Sequence, residues 1–318
     1  MRYPVGLKRR KWRRKGNAVQ AFRPRVLPYA QGVAKPNYIE LGDRRNLQQI
    51  PILYEDRAIL AVDKPPGWLL VPFSWQRTGR NLQAAITSSI AAGDYWARSR
   101  NLKFLKFVHR LDGETSGILL FSKSVGGTES FGELFESRRM HKTYLVVVEG
   151  VPKQAAWTCH ARIAPDPERI GRMKIDEREG KDSATSFKVL KSVDGRSLIE
   201  AKPVTGRTHQ IRLHMMVAGH PVVGDEHYGP TAGRAVKSRG RMDEMFPLGL
   251  RAVRLEYEDP FTRRRIVITA PTEDFVRAFG FAENSKPPTP DQGVRQKPNA
   301  KPTDPPASYG FRRTRSSK

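Results

Sequence analysis

Apolar residues recur along this chain at two spacings, and the spacing assigns the elements. From 52 to 62 they read as a strand pair interrupted by the turn-like Glu55-Asp56-Arg57, and Lys64-Pro65-Pro66-Gly67 ends the pair in a rigid turn. Leu82, Ala85, Ile86, Ser89 and Ile90 follow helical spacing, which predicts a helix over 81–95. Strands are expected at 118–122, 144–149, 186–190, 198–203, 252–257 and 266–270. Further helices are expected over 129–138 and over 208–217, the latter stopped by Gly219 and Pro221, and Thr272 reads as the N-cap of a last short helix. Strands outnumber helices and often follow one another directly. The predicted class is therefore α+β, with a mixed, largely antiparallel central sheet, flanking helices and a cleft.

The periodicity fades at both ends, where composition takes over. Residues 1–38 hold 11 Lys/Arg and no acid, including the block Lys8-Arg9-Arg10-Lys11-Trp12-Arg13-Arg14-Lys15. Residues 285–318 carry seven prolines and 8 Lys/Arg against 2 acids. Neither end can build a core, so the expected organisation is a basic disordered arm at 1–38, a folded unit at 40–283 and a Pro-rich basic disordered tail at 285–318. The ends carry +17 of the formal charge of +25, leaving +8 on the folded unit. Such charge points to a polyanion such as nucleic acid. A single cysteine excludes a disulfide scaffold and Cys-based zinc fingers. The longest apolar runs, at 118–121 and 145–148, fall far short of the roughly 20 residues of a membrane span, so no membrane partner is expected.

Several site signatures are missing from the sequence. There is no phosphate-binding G-x-x-x-x-G-K-[ST]; Gly219 to Gly224 comes nearest, but Asp225 stands where the lysine would be. Neither a G-x-G-x-x-G after a strand nor a G-x-S-x-G elbow occurs, and the seven histidines form no helical ligand pair. No ATP-driven reaction is expected, and a metal site would have to assemble from residues distant in sequence.

Two segments crowd polar, charged and glycine residues beside apolar strands. In 108–117, Asp112 lies in a glycine-punctuated loop entering the strand Ile118-Leu119-Leu120-Phe121, a good position for a carboxylate held at a cleft. A turn-capping aspartate would look the same. In 205–214, a helix from Thr208 would carry Arg212 on the face of Thr208, turned toward a ligand or carboxylate; the alternative is a solvated charged face.

The residues themselves resemble a known family. His109-Arg110-Leu111-Asp112-Gly113-Glu114-Thr115-Ser116-Gly117 is similar to the H-R-L-D-x-x-T-S-G signature of the RluA-type pseudouridine synthases. Lys142-Thr143-Tyr144 resembles their K-x-Y element, 206–214 their G-R-T-H-Q-I-R-x-H, and 219–229 their G-H-P-I-x-G-D-x-x-Y-G, all in the same order. The resemblance implies an isomerase that converts specific uridines in rRNA or tRNA to pseudouridine, without cofactor or metal. It implies Asp112 as the catalytic nucleophile, attacking either the base or the sugar C1′. It implies Arg212 as the guanidinium that favours the ionised carboxylate. Tyr144 would pack against the target base and help deprotonate C5, unless it is a core tyrosine on its strand. Arg110 would fill the space left by the flipped nucleotide or touch the backbone, His109 would shape the loop, and Arg207, Thr208 and His209 are candidate RNA contacts.

Two departures from the pattern fall where the substrate-side walls of the cleft are expected. Leu250-Arg251-Ala252 has arginine at a usual histidine, and Val71-Pro72 replaces a usual histidine-proline. The segment before the catalytic part does not have the composition of an S4 RNA-binding domain, and none is expected. The remaining expectations are a monomer acting in a bacterial cytoplasm, with the mitochondrial matrix as the alternative.

Overall fold

Alternating apolar positions produce strands, and the strands join edge to edge into one mixed sheet. The computed structural model describes residues 34–42, 47–70, 80–230 and 245–282. Its strands are β1 (Tyr38–Leu41), β2 (Gln48–Glu55), β3 (Ile59–Lys64), β4 (Lys106–Phe107), β5 (Ser116–Ser122), β6 (His141–Glu149), β7 (Ala156–Pro165), β8 (Met173–Ile175), β9 (Lys181–Val193), β10 (Arg196–Pro203), β11 (Leu250–Glu258) and β12 (Arg265–Thr269). Its helices are α1 (Leu82–Ala92), α2 (Tyr95–Arg98), α3 (Val125–Glu136), α4 (Gln210–Val217) and α5 (Glu273–Ala278).

The sheet order is β1-β2-β3-β5-β11-β6-β10-β9-β7-β8, with β12 also on β11 and β4 on β5. Every pairing is antiparallel except β5 with β11, where Arg251 meets Ser116 and Ala252 meets Gly117. This is the α+β class with the mixed, largely antiparallel sheet expected from the sequence. All seven residues of β5 are buried, as a strand covered on both faces requires.

Side-chain alternation sorts the central strands onto two faces. Val146, Val148, Ile199, Ala201 and Leu250 face Ile211 and Met215 of α4. Leu145, Val147, Leu198 and Val253 face the other way, onto Phe275 of α5 and Phe281. Eight residues are too few for an isolated helix in water, so α4 exists because its apolar side is docked, at about 1.5–3 kcal/mol for each large side chain fully buried.

Local chemistry moves some boundaries. Asn81 caps α1 by accepting the Ala84 N–H at 3.0 Å, and Gly93 stops the helix at Ala92 in the left-handed conformation, so the expected 81–95 helix divides into α1 and α2. The helix expected from Thr208 starts only at Gln210, because His209 sits in the left-handed region at φ 56; Thr208 is thus not on the helical face of Arg212. Thr272 occupies the N-cap position of α5 without a capping bond from its side chain; its N–H is accepted by Glu273 at 3.0 Å. The folded part begins by Tyr38, within the segment expected as the arm, since Tyr38 pairs with Pro51 and the Asn37 carbonyl accepts the Ile52 N–H at 2.8 Å. The remainder of the expected arm, 1–33, and the tail at 285–318 lie outside the described residues.

Gly117 is what lets the parallel junction close. A Cβ there would sit 2.1 Å from the Ala252 carbonyl oxygen, and its φ of 107 is one that L side chains rarely adopt. Gly117→Ala is expected to cost about 3 kcal/mol or more through overlap and backbone strain. Urea denaturation measures this, and wild-type stability in the variant would contradict the β5–β11 register.

Candidate active site

The loop between β4 and β5 carries Asp112, and its backbone is clamped from beneath. Lys64, at the end of β3 and fully buried, donates from Nζ to the carbonyls of Gly113 (2.9 Å), Thr115 (2.9 Å) and Pro65 (3.1 Å). Burial pushes its pKa down to about 8, against smaller opposing effects of Glu114 and Asp112. On the upstream side, His109 Nε2 accepts the Leu120 N–H at 3.1 Å and its ring stacks on Phe135 at 4.7 Å. His109 therefore shapes the loop, as expected. With both flanks tied down, the side chain of Asp112 keeps 23% of its surface open.

Arg212 reaches Asp112 from α4. Its Nη1 lies 3.4 Å from Asp112 Oδ2, but its shorter bonds go elsewhere: Nε to Asp225 Oδ2 at 2.7 Å and Nη2 to Asp225 Oδ1 at 2.8 Å. Burial alone would lower the pKa of Arg212; the Asp225 carboxylate more than reverses this and holds it above the ordinary value. The same pairing keeps Asp225 ionised, with its pKa below the usual carboxylate value although burial alone would raise it. Asp225 Oδ1 also accepts the N–H groups of His227 (2.9 Å) and Tyr228 (3.0 Å), which winds the loop after Gly224 into a turn. Gly224 is required there, since a Cβ would fall 1.9 Å from the Pro247 carbonyl oxygen.

That turn delivers Tyr228 over the Arg212 guanidinium, 5.3 Å from ring centroid to Cζ. The Tyr228 hydroxyl accepts the Met173 N–H at 2.9 Å and lies 2.7 Å from His209 Nδ1. With the hydroxyl proton directed at Nδ1, the ring hydrogen of His209 sits on Nε2, which faces Asp112 Oδ2 at 3.9 Å. Burial lowers the pKa of His209 and so favours this neutral ring.

Tyr144 lies on β6 between Ala201 of β10 and Ala252 of β11, its cross-strand neighbours. Burial first, then the charge of Asp112, raises the pKa of its hydroxyl. Arg110, exposed on the Asp112 loop, reaches Thr208 Oγ1 with Nη2 at 3.5 Å across the cleft. Arg207 instead turns to the Asp182 carbonyl, 3.1 Å from its Nε.

Asp112, Tyr144, Arg212 and His209 are thus brought together, Arg110 and Thr208 meet at the rim, and Arg207 stands apart from the contacts around Asp112. Four residues of the assembly were absent from the sequence-derived set: Asp225, Tyr228, Lys64 and Gln210. Gln210 Oε1 accepts from Thr205 Oγ1 (2.6 Å) and the Arg207 N–H (2.9 Å), fixing the loop that leads into α4. Gln210, Asp225 and Tyr228 sit inside two of the recognised motifs and Lys64 in the Lys64-Pro65-Pro66-Gly67 turn, and for Asp225 and Lys64 a charged residue in a glycine- or proline-rich turn was the available signal.

Arg251 corrects one expectation. It lies on the face opposite Ala252, buried, with Nη2 2.6 Å from Asp63 Oδ2 and Nε donating to the Pro271 carbonyl at 3.0 Å. The arginine in place of a histidine therefore ties β3, β11 and the approach to α5 together and does not form a wall of the cleft. Val71 and Pro72 lie outside the described residues.

Comparison with known proteins agrees with this arrangement. Residues 58–216 match the family described as RNA pseudouridylate synthase. The ribosomal large subunit pseudouridine synthase C of Haemophilus ducreyi is 32% identical over 234 residues, 72% of this chain and 67% of its own. The dual-specificity RNA pseudouridine synthase RluA of Vibrio cholerae is 35% identical over 181 residues, 57% of this chain and 69% of its own. Among solved structures, human RNA pseudouridylate synthase domain containing 1 has a TM-score of 0.54 at 29% identity, covering 73% of this chain and 86% of that one. Human RNA pseudouridylate synthase domain containing 4 has a TM-score of 0.55 at 20% identity, covering 71% and 92%, and shares the fold. The chain belongs to the RluA-type RNA pseudouridine synthases, and its enzyme class is that of an isomerase.

Two histidines, His214 buried and His109 half-buried, give this fold an acid-sensitive edge. Burial, with a smaller effect of Lys142, lowers His109 to about 3, and burial lowers His214 to about 4, where it bonds Ser183 Oγ (2.8 Å) and Thr185 Oγ1 (3.0 Å). Below about pH 6.5 the unfolded chain takes up protons that the folded chain refuses, so stability present above that pH is lost as pH falls toward the folded values. Urea denaturation at about pH 7 and about pH 5 should show a larger loss for wild type than for the double variant His109→Gln/His214→Gln. Equal losses would contradict neutral histidines at these positions.

Proposed function

We propose that this enzyme isomerises uridine in ribosomal RNA, with Asp112 as the nucleophile. The observation that carries the reading is the carboxylate itself: Asp112 is partly open on a clamped loop, with Arg212 Nη1 at 3.4 Å and Tyr144 within its field. A guanidinium at that distance holds the carboxylate oxygen in a fixed position for attack. Ribosomal RNA is the favoured substrate because the relatives of similar length are named for the large ribosomal subunit. A relative named dual-specificity makes transfer RNA the second substrate to assay.

In this reading the target nucleotide leaves its stack, at a cost of a few kcal/mol, and Arg110 at the rim takes up the space or the backbone charge. Asp112 attacks the base or C1′, the N1–C1′ bond breaks, the uracil turns, a C5–C1′ bond forms, and the bond to Asp112 breaks to return the free carboxylate. C5 then loses its proton and N1 ends protonated, so atoms and electrons balance without an external reductant or acceptor. The raised pKa of Tyr144 keeps its hydroxyl protonated at rest, so it packs against the base and takes the C5 proton only as it hands its own on to water.

Purified protein incubated with large-subunit ribosomal RNA or with transfer RNA, followed by carbodiimide-primer extension, tests the reaction directly. Wild type should form pseudouridine, Asp112→Asn should form none, and Tyr144→Phe should lose about 10²–10⁴-fold in turnover. Wild-type activity in Asp112→Asn would overturn the assignment of the nucleophile. Asp225→Asn, which leaves Arg212 without its bidentate partner, should lower single-turnover rate about 10- to 100-fold by letting the guanidinium shift. An unchanged rate in a folded Asp225→Asn protein would show that Arg212 needs no such hold.

A further inference from the structure

At the opposite end of β5 from the Asp112 loop lies a second concavity, a cavity of about 790 Å³. It is lined by Lys35, Arg57, Arg100, Lys103 and Lys123, with Glu55, Asp56 and Asn101 among its other walls. Its charges divide into two layers. Glu55 holds Arg100 Nε at 2.9 Å and Lys123 Nζ at 2.7 Å, and Asp56 Oδ1 accepts the N–H groups of Ala58 and Ile59, both at 2.8 Å. These carboxylates are committed to the floor.

Lys35, Arg57 and Lys103 form the exposed upper layer, and among the described residues none of them has a carboxylate partner. Exposed arginines elsewhere either pair, as Arg139 does with Glu133, Arg263 with Glu258 and Arg277 with Asp274, or, like Arg138 and Arg178, have no carboxylate within ion-pair distance among the described residues. The cavity differs in gathering three exposed cations without a carboxylate partner around one concavity. The described chain also enters at its rim, at Ala34 and Lys35, and the 33 residues before them hold ten Lys/Arg and no acid.

We infer that this cavity is a second phosphate-binding surface for the substrate RNA, engaging backbone beyond the nucleotides in the Asp112 cleft. This rests on RNA being the substrate of that cleft. The length of β5, about 20 Å at ~3.3 Å per residue, separates the two sites. An RNA longer than the target loop reaches both, whereas a small anion has no reason to prefer three cations spread over an open concavity. The contact is to phosphate and carries no sequence information.

The test compares the full-length protein with the triple variants Lys35→Glu/Arg57→Glu/Lys103→Glu and Lys35→Gln/Arg57→Gln/Lys103→Gln. None of these positions touches the Asp112 cleft. Binding is measured to an RNA duplex of arbitrary sequence between about 50 and about 200 mM salt, where each phosphate contact contributes close to one unit of slope in log K against log salt. The Gln variant should lose about two to three units of slope and at least about tenfold in affinity at low salt, and the Glu variant more. Turnover on a saturating short stem-loop bearing the target uridine should stay at the wild-type level. Unchanged slope and affinity in both folded variants would overturn the inference, as would losses confined to vesicles of anionic lipid with RNA binding intact. A wild-type protein that binds the duplex through this surface but makes no pseudouridine would instead overturn the proposed reaction and leave the surface standing.

Discussion

Arg212 is charged, 2% exposed and directed at the Asp112 carboxylate, and it holds this position because Asp225 takes two of its N–H groups side-on. Leaving either partner alone would cost about 3–5 kcal/mol, the penalty of an uncompensated buried charge. The pair joins two regions that the chain keeps apart. Asp225 winds the turn that brings Tyr228 against His209, and Arg212 points the N-terminal half of α4 at the β4–β5 loop. With the guanidinium already bonded twice, only Nη1 is turned to Asp112, at the longer distance of 3.4 Å. The buried pair therefore works as a bracket for orientation, and its net contribution to stability is secondary.

A second buried cation does the same for the loop. Lys64 gathers three carbonyls around Asp112 from beneath, so the loop has little freedom except at the carboxylate side chain itself. Arg212 is paired with a carboxylate and Lys64 is satisfied by three backbone carbonyls, and neither is exposed to an incoming polyanion. Solvent-exposed positive charge lies elsewhere, including Arg110 beside the cleft and Lys35, Arg57 and Lys103 beyond the far end of β5. In the proposed reading, orientation of Asp112 and attraction of RNA fall to different arginines and lysines.

Much of the fold was legible in residue order. The strands β3, β5, β6, β10 and β11 and the helices α1, α3 and α4 follow from apolar spacing, because each buries one face or both. The outer strands β7 and β8 were not anticipated, since Trp157, Cys159 and Ile163 alternate with residues whose exposure varies and the pairing itself supplies much of their order. The start of α4 was misplaced by two residues, because the left-handed His209 bonds the Tyr228 hydroxyl and Gln210 fixes the loop before the helix, both through tertiary contacts. Arg251 was assigned to a cleft wall from its place in a motif, but strand alternation turns it to the opposite face.

The order of residues by itself determined the α+β class, the loop that carries Asp112, the helix that carries Arg212 and the kinship with pseudouridine synthases. These follow from local periodicity and from contiguous motifs, which need no knowledge of what lies opposite. Only the tertiary structure decided that Asp225 is the first partner of Arg212, that Lys64 clamps the Asp112 loop, that Arg251 is a buried tie and that Lys35, Arg57 and Lys103 have no carboxylate partner around a remote cavity. Ion pairing is a property of distances between residues far apart in sequence, 13 positions for Arg212 with Asp225 and 188 for Arg251 with Asp63, and sequence spacing carries no measure of those distances.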